Sequence, residues 1–83
     1  MDISKKIEVA KLLDLYGALL TDNQREIADM AYNMDMSLFE IADEAGVTRQ
    51  AVHESLQRAE QALKTYEIKL GFMARLEELE SKN

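Results

Sequence analysis

The sequence predicts an all-α fold: a helix-turn-helix domain of four to five helices whose last helix is long. Three observations carry this. The 83 residues include no proline and only three glycines, with 47% hydrophobic and 31% charged side chains, so few positions break a helix. Apolar residues recur at steps of three and four along most of the chain. Helix starts are written locally, because Thr21 is followed by Gln24 and Ser37 by Glu40, the pattern of a capping box.

The first helix is expected over Ile3 to Leu20. Ile3, Ile7, Ala10, Leu13 and Tyr16 form its apolar stripe, widened by Leu12, Leu15, Leu19 and Leu20, while Lys5, Lys6, Glu8, Lys11 and Asp14 sit mainly elsewhere. Thr21 opens a second helix in which Ile27, Met30, Ala31 and Met34 share a face, and which should end near Asn33 to Asp35.

Ser37 to Glu60 reads as two helices joined by one glycine. Leu38, Ile41, Ala42 and Ala45 make the first apolar face, Gly46 supplies a left-handed turn residue, and Val47, Val52 and Leu56 continue the face. Thr48 caps the second helix. That last helix does not stop with the motif: Val52, Leu56, Ala59, Leu63, Tyr66, Leu70 and Met73 alternate steps of four and three, the seam of a heptad repeat. Arg49 to Leu79 is expected either as one helix of about 45 Å or as a helix broken at Gly71, with a short fifth helix of Phe72, Leu76 and Leu79 folding back. The closing Ser81, Lys82 and Asn83 are expected to fray. No linker divides the chain, so residues 1–83 are read as one domain, with the motif at 37–60 and the long or broken helix at 49–80.

Composition excludes several functions. Ten basic against sixteen acidic side chains give a net charge of −6, which repels phosphate backbones and anionic lipid at long range. There is no cysteine for a disulfide, a thiolate nucleophile or a sulfur-ligated metal. No apolar run approaches the roughly 20 residues needed to span a bilayer, and MDISKKIEVAK lacks the apolar stretch of a signal peptide. A soluble cytoplasmic protein without membrane association is expected.

Catalysis and metal binding find no constellation. The single His53 stands beside Glu54 in a helix, the two pointing about 100° apart, and Glu40, Asp43 and Glu44 read as a solvated helix face. Neither an enzyme, a cofactor nor a metal site is expected. If the second motif helix enters a major groove, its reading residues are Thr48, Arg49, Gln50, His53 and Gln57, with Arg58 near a phosphate. Arg49 suits guanine, Gln50 suits adenine, and the Thr48 end of the helix suits a phosphate. Opposing this, residues 37–66 hold the bases Arg49, Arg58 and Lys64 against the acids Glu40, Asp43, Glu44, Glu54 and Glu60. A helix pair kept as a folding unit with a solvated outer face carries nearly equal weight. The exposed end of the heptad predicts a homodimer through Leu63, Tyr66, Leu70 and Met73. The methionines read mainly as core filler, with an exposed patch open at Met30, Met34 and Met36.

Leu19 to Leu63, including Gln24-Arg25-Glu26 and Arg49-Gln50-Ala51-Val52, resembles the promoter-reading region 4 of bacterial sigma factors. From Leu15-Tyr16-Gly17-Ala18-Leu19-Leu20-Thr21 through Tyr66-Glu67-Ile68-Lys69-Leu70 the chain is similar to the YlxM family of small bacterial helix-turn-helix proteins. Ser55, where DNA-reading relatives place an aliphatic residue, and the acid Glu54, where they often carry a base, favour YlxM over a sigma fragment, as does a chain starting at its own methionine. The resemblance implies a regulatory protein of the signal recognition particle pathway, bound to that particle's GTPase or RNA. It also implies further helical residues after Asn83, so this chain is expected to be a short member or a truncated form. A sigma-like DNA-binding regulator is the alternative.

Overall fold

The computed structural model describes residues Ile3 to Lys82, and among them every regular element is helical. The order is α1 (Ile3–Tyr16), a 3₁₀ turn (Gly17–Leu19), α2 (Asp22–Tyr32), α3 (Leu38–Ala45), α4 (Arg49–Leu70) and α5 (Phe72–Ser81). Helix α4 is the spine: α1, α2 and α3 all pack on it, and α5 turns back chiefly onto α1.

The first helix is shorter than its apolar pattern and buries a different stripe. Tyr16 leaves helical geometry at φ −117°, the chain tightens through Gly17–Leu19, and Leu20 turns into the core before Thr21 starts α2. Val9, Leu12, Leu13 and Tyr16 are buried, whereas Ile3 and Ile7 are 74% and 52% exposed. Both sets have helical spacing and share Leu13 and Tyr16, so periodicity alone cannot choose between them. The position of α4 does.

The other starts are as the sequence specifies. Thr21 Oγ1 accepts from Gln24 N–H while the Gln24 side chain accepts from Thr21 N–H, and Ser37 and Glu40 make the same reciprocal pair. Thr48 Oγ1 accepts from Ala51 N–H at the head of α4. Gly46 adopts φ 70°, and Val47 N–H reaches back to the Ala42 carbonyl at 3.1 Å, closing α3 as a Schellman turn. Between α2 and α3 the left-handed residue is Asp35 at φ 54°, a conformation that aspartate tolerates better than most. Lys6 from α1 bonds its carboxylate and holds it below the usual carboxylate range, by the hydrogen bond first and by charge second.

Of the two forms open for the last helix, the broken one is found. Gly71 at φ 67° ends α4 and begins α5. With no side chain at that cap, the orphan amides of α5 are satisfied from elsewhere. Glu67 accepts from Met73 N–H (2.9 Å) and Ala74 N–H (3.1 Å), and Tyr16 Oη accepts from Phe72 N–H at 3.0 Å. Tyr16 in turn donates to Glu67 at 2.6 Å. This hydrogen bond and the two amides hold the Glu67 carboxyl below its ordinary value, while burial and the same carboxylate push the Tyr16 phenol up. The Tyr16 ring also lies 6.0 Å from Phe72 and 6.1 Å from Tyr66, and Tyr66 donates to the Leu19 carbonyl. Helix α5 runs through Ser81, so of the three residues expected to fray Ser81 is helical, and Asn83 lies outside the described residues.

The packing of α1, α2 and α3 on α4 changes the meaning of the heptad. Val52, Leu56, Ala59 and Leu63 are buried within the chain's own core, where Val52, Leu56 and Leu63 each contribute roughly 1.5–3 kcal/mol and the Ala59 methyl less. Tyr66 and Met73 pack partly against that core.

Candidate interaction surface on the helix-turn-helix

The motif brings together the six residues expected to face a groove. Thr48, Arg49, Gln50, His53, Gln57 and Arg58 are all exposed, because Val52, Leu56 and Ala59 turn the opposite side of α4 inward. At about 100° per residue, Gln50, His53 and Gln57 fall within about 60° of one another, with Arg49 and Arg58 flanking them. Thr48 Oγ1 accepts from Ala51 N–H as the helix cap, which leaves its hydroxyl proton as the group it can offer a partner.

Their electrostatics are less suited to a phosphate backbone. The Arg49 guanidinium lies 5.9 Å from the centroid of the Phe39 ring, within cation–π range, and so is drawn across the turn toward α3. Gln50 donates to Glu54 at 3.4 Å. Asp43 and Glu44 stand exposed on α3, and Glu40 is the capping partner of Ser37. Of the motif's other charges, Glu60 is turned away toward α1, 3.0 Å from Lys5 and 3.5 Å from Lys64. The nearby Tyr32 phenol is pushed up mainly by burial and secondarily by Glu60. Arg49 and Arg58 are thus the bases left on the outer face.

Two further features escape a reading by periodicity alone. Phe39 is 69% exposed, and with Val47 and Arg49 it lines an open depression of about 360 Å³ over the turn. It lies off the Leu38–Ile41–Ala42–Ala45 stripe, which was the available signal. The second is the Glu67 pin, flagged in the sequence only by a carboxylate four residues before a glycine.

The four residues expected to form a dimer seam are separated by the fold. Leu63 is fully buried in its own chain, which removes it from any interface in this structure. Tyr66 and Met73 are half-buried on the core, and Leu70 is 47% exposed. Ile68, Phe72, Leu76 and Leu79 are the neighbouring exposed apolar side chains. Among the described residues no group of three potential ligands is placed to hold a metal ion. No helix there is long and apolar enough to cross a membrane.

A helix-turn-helix with these side chains invites comparison with known families. Residues 3–82 match the UPF0122 family, described as "Putative helix-turn-helix protein, YlxM / p13 like". The chain belongs to the UPF0122 family. Among its relatives, a UPF0122 protein of Symbiobacterium thermophilum is 54% identical over 66 residues, covering 80% of this chain and 62% of the relative. One from Desulforamulus reducens is 50% identical over 72 residues, 87% of this chain and 61% of the relative. Another, from Streptococcus pyogenes serotype M5, is 49% identical over 70 residues, 84% of this chain and 62% of the relative. The matched segment thus spans a little over three-fifths of the length of these UPF0122 relatives.

Proposed function

We propose that this UPF0122 chain is a non-enzymatic, cytoplasmic regulator that docks a macromolecular partner on its helix-turn-helix. The partner is a protein or RNA component of the signal recognition particle pathway. The supporting observation is the outer face of the motif: Gln50, His53 and Gln57 stand exposed together, but Arg49 is drawn onto Phe39, Asp43 lines the same depression, and Glu54 takes the Gln50 amide. A face of this kind favours a basic protein surface over a bare phosphate backbone. The pathway itself rests on the resemblance to the YlxM family.

Affinity capture with the tagged chain tests this. Enrichment of the particle's GTPase or RNA over a charge-matched control protein is expected, and no enrichment of either would sink the assignment. Duplex DNA is the second reading, favoured by the exposure of Arg49, Gln50, His53, Gln57 and Arg58 on one side of α4. It requires salt-sensitive retention of DNA fragments in mobility shifts that weakens in Arg49→Ala. Self-association, if present, uses Leu70 and its exposed neighbours instead of Leu63, and light scattering across a concentration series reports it.

A further inference from the structure

Between α2 and α3 runs a groove of about 400 Å³ that the helix-turn-helix reading does not use. Its floor is thioether: Met30 is buried, Met36 half-buried, and Met34 is 61% exposed. Glu26, Asp29 and Glu44 form its rim, and no basic side chain lines it. Methionine suits such a floor, because an unbranched, polarisable side chain repacks around differently shaped apolar groups. Among the described residues Glu26 and Glu44 have no ion-pair partner, and the Asp29 carboxylate accepts from the side-chain amide of Asn33.

The backbone adds to this negative field. The rim draws on the C-terminal halves of both helices, Asp29 and Met30 in α2 and Glu44 in α3, and neither helix has a basic residue in its last turn. Each C-terminus carries a partial negative charge, and a carboxylate such as Glu44 placed beside one is destabilising in the free protein. Two uncompensated helix ends and three carboxylates around an apolar floor are complementary to one kind of occupant: a helix with lysine or arginine along the edges of an apolar stripe.

We propose that this methionine-floored groove docks a basic amphipathic helix of a partner protein, with an apolar side chain seated on Met34 and Met36 and its flanking cations on Glu26, Asp29 and Glu44. The inference rests on the docking reading above and gives that partner a chemical class. Apolar anchors at helical spacing supply the affinity, and the rim charges set orientation and exclude acidic or nucleic-acid occupants.

The probe is a synthetic leucine–lysine peptide of about 18 residues with leucines at i, i+3, i+4 and i+7. Its control is an isomer of identical composition whose leucines are spread round the helix. Labelled methionine methyls report the site, because Met73 lies apart, between α1 and α5, and serves as the internal reference. At physiological salt the amphipathic peptide should shift the Met30, Met34 and Met36 methyls and leave Met73 in place. The isomer should bind at least about tenfold more weakly. Glu44→Lys should keep the fold, with an equal or higher melting temperature, and lose at least about tenfold in affinity. Met34→Ala should lose roughly fivefold.

Equal binding of the two isomers, shifts confined to Met73, unchanged affinity in Glu44→Lys, or displacement of the peptide's methyl shifts by RNA would each overturn the groove assignment. If affinity capture still enriches the particle's components with Glu44→Lys and Met34→Ala, the docking reading stands and only the groove is wrong. If the chain captures none of them and binds neither peptide, both fall together.

Discussion

Replacing Gly71 by alanine tests whether the elbow between α4 and α5 is a property of one residue. Gly71 holds φ 67° and ψ 23°, and a Cβ built there meets no heavy atom within 4 Å, so no steric contact opposes the substitution. The cost is confined to the backbone, where a non-glycine residue in left-handed geometry is disfavoured by roughly 1–2 kcal/mol. Alanine also favours the competing uninterrupted helix by roughly 1 kcal/mol over glycine. A loss of about 1–2 kcal/mol in a domain of this size lowers the melting temperature by roughly 5–15 °C. Thermal unfolding followed by circular dichroism measures it, and Gly71→Asn, which tolerates the left-handed region, should lose less. Small-angle scattering supplies the second readout. If α4 and α5 fuse, a rod of about 50 Å raises the radius of gyration above the 13.5 Å of the folded-back chain. A melting temperature equal to or above that of the unsubstituted chain, with an unchanged radius, would refute the claim that glycine is required at this elbow.

The pin beside it predicts a pH dependence. Because the folded-state pKa of Glu67 is held below its ordinary value, its contribution is fully present above the ordinary glutamate range, near roughly 4.3. It is lost as pH falls through the lower folded value. Melting curves of Glu67→Gln should therefore lie below those of the unsubstituted chain at neutral pH and converge with them in acid; parallel curves at all pH values would contradict the pin. Ser37→Ala removes the acceptor for Glu40 N–H and should cost about 1 kcal/mol in denaturant unfolding. Leu63→Ala, at a position with no exposed surface, should cost about 2–5 kcal/mol. A loss under about 1 kcal/mol would place Leu63 outside the core.

Much of the fold was legible because its punctuation is local. Thr21, Ser37 and Thr48 each bond an amide three residues on, and Gly46 accepts a left-handed geometry that costs other residues energy. These preferences act within one turn, so the beginnings of α2, α3 and α4 need no knowledge of distant residues. The exposed face of α4 was legible for the same reason: Val52, Leu56 and Ala59 define an inner side, and Gln50, His53 and Gln57 must then face out. The face of α1 was not legible. Val9-Leu12-Leu13-Tyr16 and Ile3-Ile7-Ala10-Leu13 both have helical spacing, and the choice belongs to the helices packed against them.

The sequence by itself determined where helices start, that a left-handed glycine joins the two motif helices, and that the chain carries more acid than base. These are matters of short-range backbone preference and of counting. Only the tertiary structure decided that the last helix breaks at Gly71 instead of running on as one, because Tyr16 and Glu67 lie 51 residues apart and meet only when α1 and α4 pack. It likewise decided that Leu63 belongs to the protomer's own core, that Arg49 rests on Phe39, and that three methionines and three carboxylates share one groove. Periodicity assigns a residue to a side of its helix. What that side meets is set by how the helices are arranged.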